Sequence, residues 1–190
     1  MGSAAAREAS TAPAHNSPDL ELRRMLLRAL AAAPLFGLPR LAGAETGPLA
    51  GLRQWGSGDF RRFGFLVYTA TLWAGDDPLR PPLALRLDYK RSIPGSTIAE
   101  ASVREMGRFV GDPARLDAWG AQMRQIFPDV QPGDHIIGLY RPEGAYFYQG
   151  ERQLGVIAAP DFAAAFFAIW LDRRTSAPEL RAALLMGSAG

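Results

Sequence analysis

The last third of the chain alternates apolar and polar residues in three short runs. Residues 134–141 and 145–148 flank Pro142-Glu143-Gly144, and residues 153–157 follow Gly150. A two-residue repeat broken by glycine and proline is typical of antiparallel strands joined by tight turns. The pattern therefore predicts a meander of three strands.

From Asp161 the apolar repeat changes from two residues to a helical one. Phe162, Phe166, Ile169 and Trp170 recur at helical spacing among alanines, which predicts a helix buried on most of its surface. A second helix is predicted up to residue 185. Its predicted start is a capping box formed by Ser176 and Glu179, with Pro178 in the first turn.

Upstream, the same criteria predict three more strands. Residues 49–55 form the first, Gly56-Ser57-Gly58-Asp59 a glycine-rich turn, and residues 60–73 a long strand that is apolar on both faces. Residues 83–90 alternate cleanly, which indicates leucines inward and charges outward.

Two helices are predicted between these strands and the C-terminal meander. Thr97 and Glu100 form the capping box of the first helix, which ends at Gly111. Asp112 caps the second, with Pro113 as its first residue. A run of strands with segregated helices predicts the α+β class, here a twisted antiparallel β-sheet with a layer of α-helices packed on one face.

Residues 1–44 are predicted to be a leader, and residues 45–190 the folded domain. Residues 1–20 are small and polar, which indicates disorder. Residues 23–44 begin with an arginine pair, continue with an apolar run and end in Ala42-Gly43-Ala44, as export signals do. We therefore expect a periplasmic or otherwise exported protein.

The paired arginines favour a twin-arginine signal. A start at Met25 would instead make an ordinary secretory signal. An amphipathic helix packed on the domain is the third interpretation, although two prolines interrupt the segment. The apolar run is too short to span a membrane.

Composition narrows the function classes. A chain of 190 residues with 48% hydrophobic content suits one domain. The net charge of +2 comes without a run of basic residues, so we expect no nucleic-acid partner. The absence of cysteine excludes disulfides, thiolate nucleophiles and cysteine-metal sites.

Candidate catalytic groups are few. The two histidines are His15, in the predicted leader, and His135, at the start of a strand. His135 beside Asp134 could be a proton shuttle or a haem ligand, but a solvated histidine at a strand edge is the more ordinary interpretation. With one histidine outside the predicted leader and no cysteine, a transition-metal site would need carboxylates almost alone, so we expect no metal. No nucleophile elbow, phosphate loop or dinucleotide fingerprint occurs, and we expect no cofactor.

Five segments together resemble a known family. GSGDFRRFGFLVYTATLW, PGDHIIGLYRP, FYQGERQLGVI, FAAAFFAIWLD and APELRAALL follow one another between residues 49 and 185. Their order is similar to that of bacterial chalcone isomerase-like proteins, relatives of plant chalcone isomerase and of fatty-acid-binding proteins of the same fold. The resemblance implies an open-faced β-sandwich.

The resemblance also draws attention to Arg61 and Arg62. In the isomerases the family arginine stabilises negative charge on a ketone oxygen, and in the fatty-acid-binding relatives it holds the carboxylate. A planar guanidinium suits both tasks. Strand parity groups Arg62 with Tyr68 and places Arg61 on the other face, so only one of the two arginines faces a pocket unless a bulge intervenes.

Departures from the isomerase pattern favour binding over catalysis. The resemblance places Tyr68 where the isomerase has threonine, and Ile98 and Glu105 where it has tyrosine and asparagine. Isoleucine cannot donate a hydrogen bond, and glutamate repels an anion. Arg61, Arg62, Tyr68, Ile98, Ser102 and Glu105 are therefore predicted to bind a small amphipathic or fatty-acid-like ligand.

Two alternatives remain open. The first is an isomerase of an enone-like substrate, with an arginine as electrophile and Tyr68 as helper. The second is an interaction scaffold whose aromatic helix only fills the core.

Overall fold

The computed structural model describes residues 47–187. The predictions for the leader and the export signal lie outside these residues. The described part contains six strands and four helices, with bounds β1 Arg53–Arg62, β2 Phe65–Ala74, β3 Leu83–Tyr89, α1 Gly95–Met106, α2 Pro113–Ile126, β4 His135–Arg141, β5 Gly144–Gln149, β6 Arg152–Ile157, α3 Pro160–Leu171 and α4 Pro178–Leu185.

The strands form one antiparallel sheet in the order β1-β2-β3-β4-β5-β6, so each strand pairs with its neighbour along the chain. Helices α1 and α2 connect β3 to β4, and α3 and α4 follow β6. The predicted α+β class and the C-terminal meander are confirmed. None of the helices in residues 47–187 has the length and apolar content needed to cross a bilayer.

The predicted glycine turn at residues 56–59 is wrong, because these residues lie within β1. Gly56 and Gly58 instead allow α4 to pack directly on the strand. A Cβ atom at Gly56 would collide with the backbone carbonyls of Ala183 and Leu184, and one at Gly58 would lie 2.8 Å from the Ala183 side chain. These glycines therefore permit close backbone approach rather than reversal of the chain.

The chain reverses instead at Phe63-Gly64, between paired Arg62 and Phe65. Both central residues have positive φ, +50° for Phe63 and +80° for Gly64, as in the two-residue type I′ turns of hairpins. The prediction that residues 60–73 are covered on both faces is also wrong here, because Phe63 is 88% exposed and Phe65 is 60% exposed.

One of the three predicted side-chain caps is confirmed, and Pro178 lies in the first turn of α4 as predicted. The Asp112 carboxylate accepts a hydrogen bond from Arg115 N at 3.2 Å, and Pro113 opens α2. The capping boxes at Thr97 and Ser176 are wrong, because α1 begins at Gly95 and the N-cap of α4 is Ala177.

Helices α1 and α4 begin without a side-chain capping hydrogen bond, and tertiary contacts lie near both starts. Gly95 N donates to the Asp129 carboxylate at 2.9 Å, and the Ser176 hydroxyl contacts Glu105 on α1. Helix α1 also ends at Met106, five residues before the predicted Gly111.

The main core lies between one face of the sheet and the helices. Helix α3 has a run of alanines and aromatic residues and buries Phe162, Phe166, Phe167 and Trp170, as its helical apolar spacing predicted. A smaller cluster around Ile137 and three other buried residues covers part of the opposite face. The large helical layer thus lies on one face, and it encloses a cavity.

Candidate ligand-binding cavity

A cavity of about 360 Å³ lies between the inner face of the sheet and the helices. Leu85 and Leu87 of β3 and Ile136 of β4 contribute apolar side chains from the sheet, and Ile169 and Phe166 contribute them from α3. The alternating pattern of β3 sends its leucines inward. The size and apolar lining are typical of sites for small organic molecules.

Tyr68 supplies a hydroxyl group at the cavity wall. Its oxygen accepts a hydrogen bond from Trp170 Nε1 at 3.1 Å, and its ring stacks on Phe60 at 4.9 Å between centroids. Burial raises the pKa of Tyr68 well above its usual value; the Trp170 hydrogen bond opposes this shift, and nearby Glu105 adds to it. The hydroxyl therefore stays protonated and keeps its own proton to donate.

Tyr89, at the end of β3, is a second buried tyrosine in the same wall. It is 2% exposed, and its ring meets that of Tyr68 edge to face at 6.0 Å. Within residues 47–187 no group forms a hydrogen bond with its hydroxyl, although this residue lines the cavity. Burial raises the pKa of Tyr89 as well, and the nearby Tyr68 raises it further. A buried, unpartnered hydroxyl is a ready hydrogen-bond donor for a ligand.

Three guanidinium groups border the cavity, those of Arg62, Arg91 and Arg104. Among residues 47–187 none of them forms an ion pair with a carboxylate. Arg62 instead lies 5.4 Å from the Phe63 ring centroid, and Arg91 lies 4.8 Å from that of Phe65. Their hydrogen-bonding edges are therefore available to an anionic group.

The two arginines left open by strand parity occupy different surroundings. The pairing of β1 with β2 is irregular between Phe60 and Arg61. Arg62 lines the cavity, whereas Arg61 is absent from its lining and contacts the Asp59 carboxylate at 3.4 Å. Asp59 in turn accepts a hydrogen bond from Thr69 at 2.9 Å. Arg61 is therefore held at the surface, and Arg62 is the arginine that borders the cavity.

Helix α1 brings the remaining predicted residues to the cavity. Ile98, Ser102 and Glu105 lie on one helical face and all line the cavity. The Ser102 hydroxyl donates to the Ile98 carbonyl at 2.9 Å, so its proton is already used. The Glu105 carboxylate accepts a hydrogen bond from Ser176 at 2.7 Å. One carboxylate therefore accompanies the three guanidinium groups.

The sequence comparison now identifies the family. The chalcone isomerase-like family matches residues 57–186. The chain belongs to this family. An uncharacterised protein of Haemophilus influenzae is 26% identical over 141 residues, which are 73% of this chain and 70% of that protein. A fatty-acid binding protein of Arabidopsis thaliana shares the fold with a TM-score of 0.57 and 12% identity, over 72% of this chain and 87% of the other.

Several polar residues of this chalcone isomerase-like protein were missed by sequence reasoning. Tyr89 has the same inward parity as Leu85 and Leu87, which could have indicated its position. Arg91 is the second residue after that strand, but Arg104 is one of several charges on α1 and carries no distinguishing signal. These residues meet only because β3 and α1 border the same cavity.

His135 does not belong to this cavity. Its neighbour Ile136 faces inward, and His135 Nε2 accepts a hydrogen bond from Gly150 N at 3.2 Å. Burial, with a further contribution from Arg86, lowers the pKa of His135, so the neutral ring is favoured. In residues 47–187 no three His, Cys, Asp or Glu side chains are grouped to hold a metal ion.

Proposed function

We propose that this chalcone isomerase-like protein is an exported, non-catalytic binding protein for a small amphipathic or fatty-acid-like ligand. The anionic head of the ligand lies against Arg62, Arg91 and Arg104, and its apolar part lies between the sheet and helices α1 and α3. The observation that carries this proposal is an apolar cavity bordered by three guanidinium groups that have no carboxylate partner among residues 47–187.

The chemistry of the lining supports an amphipathic ligand. Each methylene group moved from water into an apolar site contributes about 0.8 kcal/mol, so a chain lying on Leu85, Leu87 and Ile136 supplies most of the affinity. A carboxylate held by two guanidinium groups adds charge-assisted hydrogen bonds and fixes the direction of entry. The fold relative named as a fatty-acid binding protein is consistent with this use of the fold.

Glu105 restricts the head group. Its carboxylate borders the same cavity as the arginines and repels negative charge on a bound ligand. A head group with one negative charge is therefore favoured over a head group with two. The free Tyr89 hydroxyl offers one further donor to the head or to a polar group along the chain.

The experiment is extraction of the purified full-length protein followed by mass spectrometry of the extract. A bound amphipathic molecule is expected in the wild type, and it should be lost from the Arg62→Gln/Arg91→Gln variant. Arg61→Gln is the matched control, because it removes an arginine from the same hairpin outside the cavity. Loss of ligand from the control as well, or an empty wild type that takes up no added fatty acid, would contradict the proposal.

An isomerase remains the second candidate, because Arg62 and Tyr68 border one cavity. In that case Arg62 stabilises developing negative charge on an enone oxygen, and the protonated Tyr68 hydroxyl donates a second hydrogen bond. Chalcone ring closure followed by absorbance tests this candidate. Acceleration that is lost in Arg62→Gln would favour it over simple binding.

Export is part of the proposal and rests on residues 23–44. Cell fractionation with N-terminal sequencing of the recovered protein tests it. Cleavage after Ala44 and recovery outside the cytoplasm are expected. Retention of Arg23→Lys/Arg24→Lys inside the cell would indicate the twin-arginine route, and unimpaired export of that variant would favour the ordinary secretory signal.

A further inference from the structure

The tip of the β1–β2 hairpin carries two solvent-exposed phenylalanines. Phe63 is 88% exposed and Phe65 is 60% exposed. The other large exposed hydrophobic residues described are Leu79 and Met186. Leu79 lies in the β2–β3 connection, at the opposite end of β2, and is thus separated from the tip by the length of the strand. The hairpin tip therefore forms a distinct aromatic projection.

Phe63 occupies a backbone position that does not suit it. With Phe63 and Gly64 both at positive φ, the turn is of the kind that prefers asparagine followed by glycine. A bulky side chain at positive φ is sterically unfavourable. The exposed Phe63 ring recovers little of this cost by packing within the protein, which points to a role at the surface.

Cations surround the two rings. Arg61 and Arg62 precede the turn, and Lys90 and Arg91 follow β3 beside it, with Lys90 N donating to Val67 O at 2.9 Å. Arg62 and Arg91 lie over the Phe63 and Phe65 rings respectively. The carboxylate of Asp59 pairs with Arg61, which leaves a net positive tip.

The hairpin also extends beyond the neighbouring strand. The β2–β3 ladder ends at the pair Tyr68 and Tyr89, and Phe65 lies three residues farther along β2. At about 3.3 Å per residue, the tip projects about 10 Å past that pair. The tip is therefore accessible to a partner beyond the end of β3.

The tip adjoins the opening of the cavity. Arg62 and Arg91, which hold the two exposed rings, also line the cavity. A partner bound at the tip thus lies next to two of the arginines that border the cavity.

We propose that the β1–β2 hairpin tip docks this protein on an anionic lipid surface. Phe63 and Phe65 enter the interfacial layer, where aromatic rings are favoured, and Arg61 and Lys90 contact the anionic head groups. Exposed rings combined with clustered cations match an anionic bilayer surface, and the chain lacks the run of basic residues that follows a nucleic-acid backbone. Docking places the cavity opening against the lipid, but lipid binding by the tip does not depend on which ligand the cavity holds.

Sedimentation with vesicles tests the proposal. The full-length protein is expected to bind vesicles of phosphatidylcholine with 30% phosphatidylglycerol, and to bind phosphatidylcholine alone much more weakly. Phe63→Asn/Phe65→Ser should reduce binding at least tenfold, and the matched Leu79→Ser/Met186→Ser variant should bind like the wild type. Each of Arg61→Gln and Lys90→Gln should reduce binding about fivefold at low salt.

The absence of cysteine allows a site-specific check. Phe63→Cys labelled with an environment-sensitive dye should shift its emission to the blue with anionic vesicles, whereas Leu79→Cys with the same label should not. Equal binding by the tip and control variants, or equal shifts at both positions, would overturn the proposal. Binding of a protein partner by the tip without any binding to vesicles would overturn it too.

Two controls separate docking from folding and from ligand binding. Phe63→Asn suits the turn and both rings are exposed, so the tip variant should unfold at or above the wild-type temperature. It should also retain the ligand extracted from the wild type. Loss of vesicle binding with the ligand retained supports docking, even if the proposed ligand class is wrong.

Discussion

The two buried tyrosines of the cavity differ in one hydrogen bond, and this difference predicts different costs for the same substitution. Tyr68→Phe removes the acceptor of the Trp170 indole N–H, whereas Tyr89→Phe removes a hydroxyl with no partner in the described residues. Both changes keep the ring, including the stacking of residue 68 on Phe60. The pair therefore isolates the hydrogen bond.

The expected magnitudes follow from what each change leaves behind. A buried donor without an acceptor costs about 1–3 kcal/mol. Trp170 borders a cavity wide enough for water, which favours the lower half of this range, so Tyr68→Phe should lower the free energy of unfolding by about 1.5 kcal/mol. Tyr89→Phe leaves no group unpaired and removes a polar atom from an apolar site, so its effect should stay within about 0.5 kcal/mol.

Urea unfolding measures both variants. With a slope of about 2 kcal/mol per molar urea, Tyr68→Phe should lower the midpoint by about 0.7 M and leave the slope unchanged. Tyr89→Phe should have a midpoint close to that of the wild type. Equal losses for the two variants would refute the reasoning, because the cost would then come from the tyrosine environment in general rather than from the bond to Trp170.

Three further predictions use the same unfolding assay. Gly56→Ala should lower the free energy of unfolding by at least about 2 kcal/mol, since the new methyl group displaces the backbone of α4. The control Gly111→Ala has open space around its Cβ position and should change the free energy of unfolding by less than about 1 kcal/mol. Similar losses for the two variants would contradict the role given to Gly56. Folding raises the pKa of Tyr68 and Tyr89, so both hydroxyls contribute their full stabilisation below about pH 10. Above that pH the free energy of unfolding should fall by about 1.4 kcal/mol per pH unit for each tyrosine. A Tyr68→Phe/Tyr89→Phe variant whose free energy of unfolding falls just as steeply would contradict this. Phe63→Asn should raise the free energy of unfolding by about 1 kcal/mol because asparagine tolerates positive φ better, and a decrease would show that the exposed ring stabilises the turn.

The C-terminal half of the fold was predictable because its signals are local. The alternation in β4, the glycines between the strands and the aromatic repeat of α3 each determine one element with little help from the rest of the chain. Residues 56–59 misled sequence analysis for the opposite reason. The same glycines suit a turn or a close helix contact, and only the distant α4 segment distinguishes the two.

The cavity could be predicted only in part. The family resemblance drew attention to Ile98 and Glu105, and in the structure both border the cavity together with Ser102. The choice between the two arginines was not accessible, because it depends on an irregular pairing within the β1–β2 hairpin. The predicted capping boxes failed where a tertiary contact, such as that of Ser176 with Glu105, replaced the local hydrogen bond.

The connection between β3 and β4 leaves the sheet and returns to the same place. Tyr89 N donates to the Asp134 carbonyl at 2.8 Å, Gly133 N donates to the Tyr89 carbonyl at 2.9 Å, and Ile93 pairs with Val130. Helix α1, which covers the cavity, thus belongs to an excursion whose two ends are fastened together. Its length and side chains can therefore change without altering the order of any strand. Within one family, this construction lets evolution or protein engineering exchange the cover of the cavity while the six-stranded base stays intact.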